Sequence, residues 1–272
     1  MRVDLRTRRA APSSANAALA ARTEACHMRV GLFVTCLIDL MRPRIGFCTL
    51  RLLEAAGCEV IVPAAQTCCG QPGYNSGDRK AAQVLAKKLL SEFRDCDYVV
   101  VPSGSCGGMV KVHYPELLAD FPDLKPEVER LTARTYELTD FLVRVLDLRR
   151  VPGGFRGSVT YHDCCSGLRE LGVKAQPRQL LAKVAGLSLK EMTTPEQCCG
   201  FGGTFAVKYG DISSRIADQK CEDIASAGVD AVVLGDLGCM LSIEGRLRRR
   251  GDRRTRVLHV AEVLAGEAGA NG

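Results

Sequence analysis

The sequence predicts an α/β protein with two pseudo-symmetric halves, each a small, mostly parallel sheet flanked by helices. Three observations predict this fold class. Short apolar runs alternate with helical segments, a pattern typical of βα units and parallel sheets. The second half repeats the order of these runs. The tripeptide Cys-Cys-Gly also occurs twice, at residues 68–70 and 198–200, which indicates a duplication.

The first half supplies three predicted strands, each followed by cysteine. The strands are predicted at 30–34, 58–62 and 98–101, and helices at about 44–56 and 78–93 connect them. Cys36, the pair Cys68-Cys69, and Cys106 follow the three strands in turn. Each cysteine is therefore expected just beyond the carboxyl end of a strand.

The second half repeats this order. Strands are predicted at 158–161, 187–191 and 230–234, and the cysteines that follow them are Cys165, the pair Cys198-Cys199, and Cys239. Closing helices are predicted at 138–142 and 260–264. The Val-Pro-Gly-Gly segment at 151–154 has a loop composition. We therefore expect a first domain at 28–150 and a second at 151–272.

Residues 1–27 are rich in Ala, Arg and Ser and show no usable period, so we predict a disordered N-terminal extension. An organelle transit peptide is the alternative, and Met28 is an alternative start. No apolar run reaches the roughly 18 residues of a membrane helix, so no membrane span is expected. An apolar content of 46% allows a core without disulfides. Fourteen cysteines then indicate a reducing, cytoplasmic setting with metal-binding or redox thiols.

The net charge of +6 is concentrated near the N-terminus and in the stretch 246–256. With no tryptophan, 5% aromatic residues and no recognisable reading helix, the composition argues against nucleic acid as a partner. The basic stretch is predicted to be a solvated helix end, with docking of an acidic protein partner as the alternative.

The spacing of the cysteines is matched between the halves. Thirty-one residues separate Cys36 from Cys68 and 32 separate Cys165 from Cys198. The downstream intervals are 36 residues to Cys106 and 39 to Cys239. Because open α/β sheets bind ligands at the carboxyl edge of the strands, four thiols should converge in each half. The predicted metal ligands are Cys36, Cys68, Cys69, Cys106, Cys165, Cys198, Cys199 and Cys239.

Sites made only of sulfur select iron–sulfur clusters, zinc or cuprous copper. The chain has no C-x-x-C knuckle of the kind that structural zinc prefers. Long spacings around a vicinal pair favour a multi-iron cluster, since adjacent cysteines can then reach different irons. The glycines that follow are predicted to adopt positive φ and to let the backbone approach the cluster: Gly70, Gly200, Gly202 and Gly203.

Several other residues are candidates for lesser roles. Cys164 competes with Cys165, and we prefer Cys165 because its spacing matches the first half. Of the histidines, His162 is either a hydrogen-bond donor to cluster sulfur or an ordinary loop residue, and His259 is predicted at a helix or surface position. Lys208 and Arg169 are candidates for balancing cluster charge, with ordinary solvated charge as the default alternative. Four further cysteines are predicted to be apolar packing: Cys48, Cys58, Cys96 and Cys221.

The longer motifs resemble the CCG-domain (cysteine-rich domain) iron–sulfur proteins, most closely the lactate-utilisation protein A family. The matching stretches are Phe-Val-Thr-Cys at 33–36, Gln-Thr-Cys-Cys-Gly-Gln-Pro at 66–72, Pro-Ser-Gly-Ser-Cys at 102–106, Tyr-His-Asp-Cys-Cys at 161–165 and Cys-Cys-Gly-Phe-Gly-Gly-Thr-Phe at 198–205. The resemblance implies a cytoplasmic oxidoreductase component that acts in electron transfer. Its implied partners are a ferredoxin-like iron–sulfur protein and a third lactate-utilisation subunit, which together oxidise L-lactate to pyruvate.

The resemblance extends to the cysteine-rich subunit of heterodisulfide reductase, in which a C-x-x-C motif supplies a fifth thiol. This sequence has Met109 and Ser242 at those positions. Four cysteines in each half favour ordinary [4Fe–4S] clusters, up to two per chain. The alternatives are a thiol–disulfide or heterodisulfide reductase that engages substrate through Cys165 and Cys198-Cys199, and a non-catalytic metal-binding subunit. No catalytic residue is assigned, because no general base is evident.

Overall fold

A computed structural model describes residues 28–268. The predicted N-terminal extension, residues 1–27, lies outside the described residues. The first sheet is parallel, with the strand order β2-β1-β3-β4. Its strands are β1 (Arg29–Leu32), β2 (Glu59–Ile61), β3 (Tyr98–Val101) and β4 (Thr135–Glu137).

The second sheet has the same order, β6-β5-β7-β8, and is also parallel. Its strands are β5 (Gly154–His162), β6 (Ala185–Leu189), β7 (Ala231–Leu234) and β8 (Arg256–His259). The identical order in two four-stranded parallel sheets confirms the predicted fold class of two pseudo-symmetric α/β halves.

Helices connect the strands of each sheet. In the first half they are α1 (Cys36–Met41), α2 (Pro43–Ala55), α3 (Gln71–Ser76), α4 (Arg79–Glu92), α5 (Gly104–Gly108), α6 (Tyr114–Leu117), α7 (Lys125–Arg134) and α8 (Leu138–Asp140). Short π-helical turns lie at Met109–His113 and Phe141–Val145, and a 3₁₀ turn lies at Pro122–Leu124. In the second half the helices are α9 (Cys165–Leu171), α10 (Ala175–Leu181), α11 (Thr204–Lys208), α12 (Gly210–Ala227), α13 (Leu237–Arg249) and α14 (Val260–Leu264).

Strands β3 and β7 occupy inner positions in their sheets and are built almost entirely of β-branched and apolar residues. Val99, Val100 and Val101 are fully buried, and all four residues of β7 are buried. Burial on both faces requires an apolar run rather than an alternating pattern. The apolar runs predicted at 98–101 and 230–234 are confirmed as strands.

The fourth strand of each sheet is not predicted by the sequence. Strands β4 and β8 have three and four residues and contain polar side chains, so neither forms a long apolar run. Glu137 and His259 end these strands and cap the helices that follow, through hydrogen bonds from backbone N–H groups. Pairing with an inner strand, rather than local sequence, determines these two elements.

The two halves meet at the carboxyl edges of their sheets. The Gly104 N–H donates to the Gly235 carbonyl at 3.2 Å, joining the loop after β3 to the loop after β7. Helix α14 packs on α2 of the first half, and Arg51 pairs with Glu267 at 2.7 Å. One continuous apolar core contains residues of both halves. Across residues 28–268, no helix is both long and apolar enough to cross a bilayer.

Candidate metal sites

The repeated cysteines lie where the sheets end. Cys36 is the first residue of α1, directly after β1, and Cys106 lies in the first turn of α5, after β3. The pair Cys68-Cys69 follows β2. In the order β2-β1-β3-β4, the chain passes from β1 to β2 on one side and then crosses to β3 on the other side of β1. In α/β sheets, a binding crevice forms where the strand order reverses in this way, at the carboxyl ends of the strands.

The first site gathers four thiols. Cys69 Sγ and Cys106 Sγ are 3.4 Å apart. The thiol of Cys36 is hydrogen-bonded to that of Cys68, which also contacts Cys69. Cys69 is buried, whereas the other three are half-buried. The site therefore has an inner end and a side that opens towards solvent.

The second site gathers the four equivalent thiols and one more. Cys165 contacts Cys198, and Cys199 contacts Cys239. The thiol of Cys164 is buried and contacts both Cys165 and Cys239. Spacing alone favours Cys165 over Cys164, but the fold brings both cysteines to this site.

Each Cys-Cys-Gly tripeptide forms the same turn. The Gly70 N–H donates to Cys68 Sγ at 3.4 Å, and the Gly200 N–H donates to Cys198 Sγ at 3.3 Å. The two glycines have φ values of +86° and +82°, a conformation that residues with a Cβ avoid. Gly202 and Gly203, in the turn before α11, also have positive φ, at +52° and +62°.

The carbonyl of the second cysteine is fixed by a hydroxyl group in both sites. Tyr114 donates to the Cys69 carbonyl at 2.9 Å, and Ser242 donates to the Cys199 carbonyl at 2.9 Å. Ser242 is one of the two positions at which a fifth thiol would stand. At the other, Met109 is fully buried in the core.

The thiols of each site differ in their tendency to ionise. Hydrogen bonds from Cys36 and Cys69 lower the pKa of Cys68, and those from Cys165 and Cys199 lower the pKa of Cys198. The N–H groups of Gly70 and Gly200 act in the same direction. Since the thiolate is the form that binds metals, the lowered pKa favours metal binding by the first cysteine of each tripeptide.

The donor set fits a soft metal group. Sulfur ligands of one tetrahedral ion, with bonds of about 2.3 Å, lie about 3.8 Å apart. Cys69 and Cys106 are already gathered at a similar separation of 3.4 Å. Binding a cluster whose ligands attach to different irons would therefore require these two sulfurs to move apart. Cys69 lies in the turn before the positive-φ Gly70, whereas Cys106 lies in helix α5.

Asp236 joins the two sites. Its Oδ2 accepts hydrogen bonds from Ser103 Oγ at 2.9 Å, from Ser105 Oγ at 2.6 Å and from the Ser105 N–H at 3.0 Å. Its Oδ1 accepts from the N–H groups of Gly238 and Cys239. One buried carboxylate thus links the start of helix α5, which carries Cys106, to the start of helix α13, which carries Cys239.

Lys208 and Arg169 are exposed, in line with the default expectation of solvated charge. Lys220, which the sequence does not predict, has a fully buried side chain close to Cys198 and Cys199. It lies on α12, and only the folded structure brings that helix beneath the cysteine turn. Of the two places predicted for His259, the surface is excluded, because its ring is fully buried and caps helix α14.

The basic stretch 246–256 is paired in part within the chain. Arg246 and Arg250 both pair with Asp218, and Arg250 also pairs with Glu222. The guanidinium of Arg248 donates to the carbonyls of Asp252 and Thr255. Two of its seven arginines are thus paired with carboxylates of helix α12.

A small cavity with room for about one water molecule lies between the halves, beside the second site. Glu137, Tyr161 and Cys164 contribute to its lining. Glu137 Oε2 accepts hydrogen bonds from the backbone N–H groups of Thr139 and Asp140, whereas Oε1 has no partner within the described part of the chain. Burial raises the pKa of Glu137 to about 7.

Replacing Glu137 with glutamine is expected to flatten the dependence of stability on pH. The folded-state pKa of about 7 lies above the ordinary value of 4.5, so the folded protein holds an extra proton between these values. Its stability must then fall as the pH rises through this window. Between pH 5 and 8 the metal-free wild type should lose about 2 kcal/mol more than the variant. Urea unfolding of both proteins across this range measures the difference, and parallel curves would contradict it.

Comparison with known proteins matches the two halves of the chain to one family. The family of the CCG cysteine-rich domain matches residues 30–111 and 159–244, one match in each half. A protein of Geobacillus kaustophilus named lactate utilization protein A is 50% identical over 237 residues, which cover 87% of this chain and 98% of that protein. The protein of the same name from Bacillus subtilis is 44% identical, with 87% of this chain and 99% of that protein covered.

A solved structure supports the fold alone. A hypothetical protein from Helicobacter pylori superposes with a TM-score of 0.62 at 13% identity, over 89% of this chain and 49% of that one. This chain thus spans about half of that protein. Taken with the two matched segments and the close relatives, the chain belongs to the CCG cysteine-rich domain family, among proteins similar to lactate utilization protein A.

Proposed function

We propose that the protein is an iron–sulfur component of a cytoplasmic L-lactate-oxidising complex and that it carries electrons between its partners during the conversion of lactate to pyruvate. The observation that carries the proposal is the convergence of four matched cysteines at the carboxyl edge of each sheet. The relatives named lactate utilization protein A supply the metabolic setting. The proposed partners are a ferredoxin-like iron–sulfur protein and a third subunit of the same system.

The residues proposed to hold the metal groups are the two sets of repeated cysteines. The first set is Cys36, Cys68, Cys69 and Cys106, and the second is Cys165, Cys198, Cys199 and Cys239. A [4Fe–4S] cluster at each site would supply one-electron carriage. Hydrogen bonds from the protein to the sulfurs tune the reduction potential of such groups. The Gly70 and Gly200 N–H groups already point at cysteine sulfur.

The outer side of each site suits an encounter with a protein partner. Cys36 and Cys198 are half-buried, so the centres they hold would lie near the surface. Leu40 and Met41, on the helix that begins at Cys36, are 76% and 56% exposed. Val207, which follows the second Cys-Cys-Gly turn, is 86% exposed. These exposed apolar side chains beside the two centres would form part of the surface that a partner contacts.

A second candidate is a subunit with a single metal ion in each site and no redox role. The 3.4 Å separation of Cys69 and Cys106 favours this alternative, since it is close to the spacing of two ligands on one tetrahedral ion. The long sequence intervals between the cysteines, and the absence of a C-x-x-C knuckle from the sequence, favour a cluster. The two functions differ in the metal bound.

Deleting the gene in the native host and restoring it with variants tests the lactate role. The wild-type chain is expected to restore L-lactate consumption, whereas Cys198→Ser should lower its rate at least tenfold, because the second site loses a thiolate ligand. Lactate in the medium during growth is the measured quantity.

Cys96→Ser is the matched control, because Cys96 is a buried cysteine outside both sites. Its rate should stay within twofold of the wild type at equal protein level. Equal rates for Cys198→Ser and the wild type would overturn the proposal. So would normal lactate consumption in the deletion strain.

A further inference from the structure

The helices that pack on the two Cys-Cys-Gly turns correspond to each other residue by residue. A Cβ at Gly70 would lie 3.2 Å from the Ala82 carbonyl oxygen on α4. A Cβ at Gly200 would lie 2.5 Å from the Ser213 carbonyl oxygen on α12. From these two contacts onwards, the buried residues of the two helices recur at identical intervals. They are Ala82, Ala86, Leu89 and Leu90 in α4, and Ser213, Ala217, Lys220 and Cys221 in α12.

One pair in this correspondence differs in charge. Lys220 occupies the position of Leu89, which is 3% exposed and belongs to an apolar core cluster of the first half. Lys220 is 0% exposed, and it is the only buried lysine or arginine among residues 28–268. A buried charge is costly unless hydrogen bonds and opposite charges compensate for it. The exchange of leucine for lysine therefore indicates a role that leucine does not serve.

Hydrogen bonding and negative charges stabilise the Lys220 ammonium group in its buried position. Its Nζ donates to the Thr194 carbonyl at 2.5 Å and lies 3.9 Å from Asp223 Oδ2. Burial lowers the pKa of Lys220, whereas Asp223 and the thiolates of Cys198 and Cys199 act in the opposite direction. A cysteine-bound cluster adds further negative charge at this site, which favours the protonated form of the lysine.

The ammonium group lies close to the thiols of the second site. Its charge interacts with those of Cys198 and Cys199. It also acts on His162, because burial and the charge of Lys220 together lower the pKa of the imidazole to about 4. One ring nitrogen of this histidine and the sulfurs of Cys199 and Cys239 lie within 4.8 Å of one another. The buried cation is therefore a neighbour of the buried thiols of this site.

The other buried charges near the second site are paired or shared. Asp163 is paired with Arg178, whose two Nη groups donate to its carboxylate at 2.8 and 3.0 Å. Asp236 accepts hydrogen bonds at both sites, so its charge lies beside both. Asp223 offsets part of the charge of Lys220, but two backbone N–H groups and a hydroxyl group already bind its carboxylate. Lys220 is therefore the buried charge that most distinguishes the two sites.

We propose that the ammonium group of Lys220 raises the reduction potential of the second metal centre above that of the first. This inference rests on the proposed iron–sulfur function and deepens it, because it gives the two centres different roles. Reduction adds one negative charge to a centre, and a buried positive charge nearby stabilises that added charge. Since burial removes most solvent screening, the effect is larger than that of an exposed lysine.

The consequence is a direction for electron flow within the chain. One electron that reaches the first centre from a partner passes to the second centre, so that the first is reoxidised as the second is reduced. No bond forms or breaks in this step. The second centre is then the one that delivers the electron to the other partner. Lys220 sets this order through its charge, without binding the metal group.

Redox titration of the full chain, monitored by EPR, tests the assignment. The protein is reconstituted anaerobically with ferrous iron and sulfide, and the signal that Cys198→Ser removes identifies the second centre. Lys220→Leu introduces the residue of the first half. It should lower the ratio of reduced to oxidised second centre at a fixed potential on the order of tenfold, which equals about 59 mV for one electron. The ratio at the first centre should stay within twofold of the wild type.

Three further variants separate charge from packing. Lys220→Met is a second neutral variant and should give the same shift as Lys220→Leu. Lys220→Arg keeps the positive charge, so its ratio should stay within threefold of the wild type. Lys208→Leu removes an exposed lysine from the helix that follows the second Cys-Cys-Gly turn. Its shift should stay within twofold, because solvent screens that charge.

The wild type alone already decides one part of the inference, whether or not the variants fold. Iron–sulfur centres at both sites, with a second reduction potential equal to or below the first, would overturn it. So would an unchanged second potential in the folded neutral variants, or a shift in Lys220→Arg as large as that in Lys220→Leu. Failure of the wild type to bind iron at both sites would overturn the proposed function as well.

Discussion

Replacing Asp236 with alanine is expected to lower the free energy of unfolding by about 4 kcal/mol. Asp236 is 3% exposed and accepts five hydrogen bonds from four residues. Alanine leaves these donors without an acceptor at the interface between the halves, and each buried unpaired group carries a desolvation cost. Urea unfolding of the metal-free chain measures the change.

The same substitution at the surface residue Asp218 shows how much of the expected stability loss depends on burial. Asp218 also binds two partners, Arg246 and Arg250, but at the protein surface. Asp218→Ala should have a much smaller effect, because solvent screens exposed ion pairs and rehydrates the freed arginines. Asp236→Asn should lose less stability than Asp236→Ala but should still be less stable than the wild type. Its amide oxygen can still accept hydrogen bonds, whereas its NH₂ group would face other hydrogen-bond donors. Equal losses for the two alanine variants would contradict this account.

Replacing Gly200 with alanine is expected to destabilise the protein by about 3 kcal/mol. Gly200 has a φ of +82°, and a Cβ at this position would lie 2.5 Å from the Ser213 carbonyl oxygen. The contact is with helix backbone, so the helix or the cysteine turn must shift. The shift also displaces the N–H that donates to Cys198 Sγ, so the second site should bind metal more weakly.

Replacing Gly77 with alanine separates the cost of the left-handed conformation from the cost of the steric contact. Its φ of +83° is nearly the same, but a Cβ there would meet nothing within 4 Å. Gly77→Ala should therefore show only the cost of the left-handed conformation, about 1 kcal/mol, with metal binding unchanged. Thermal unfolding and metal titration of the two variants provide the comparison. A Gly200 variant no weaker than the Gly77 variant would exclude the steric explanation.

The parts of the fold that the sequence predicts are those determined by short, local segments. The valine-rich segment Tyr98–Val101 is a strand within its predicted bounds. The cysteines follow their strands because the motif spacing and the strand spacing repeat together. The predicted packing cysteines, among them Cys48 and Cys221, are buried in the core.

The rest depends on contacts between residues distant in sequence. Lys220 lies 21 residues beyond Cys199, and nothing local distinguishes it from a solvated lysine. Glu137 and His259 end strands that exist only because an inner strand pairs with them. From the sequence, Asp236 is an ordinary helix cap. Its link between the two sites depends on Ser103 and Ser105, which donate hydrogen bonds to it in the folded structure. Spacing does not select Cys164, because the first half has no equivalent thiol.

The most direct measurement of the central claim is the iron and acid-labile sulfide content of the anaerobically purified chain, combined with EPR of the reduced protein. Two [4Fe–4S] groups predict about eight iron and about eight sulfide per chain and two distinct signals. Cys198→Ser should remove one signal and leave the other. Stoichiometric zinc without sulfide, or signals that both survive the substitution unchanged, would contradict the assignment of two cysteine-bound iron–sulfur centres.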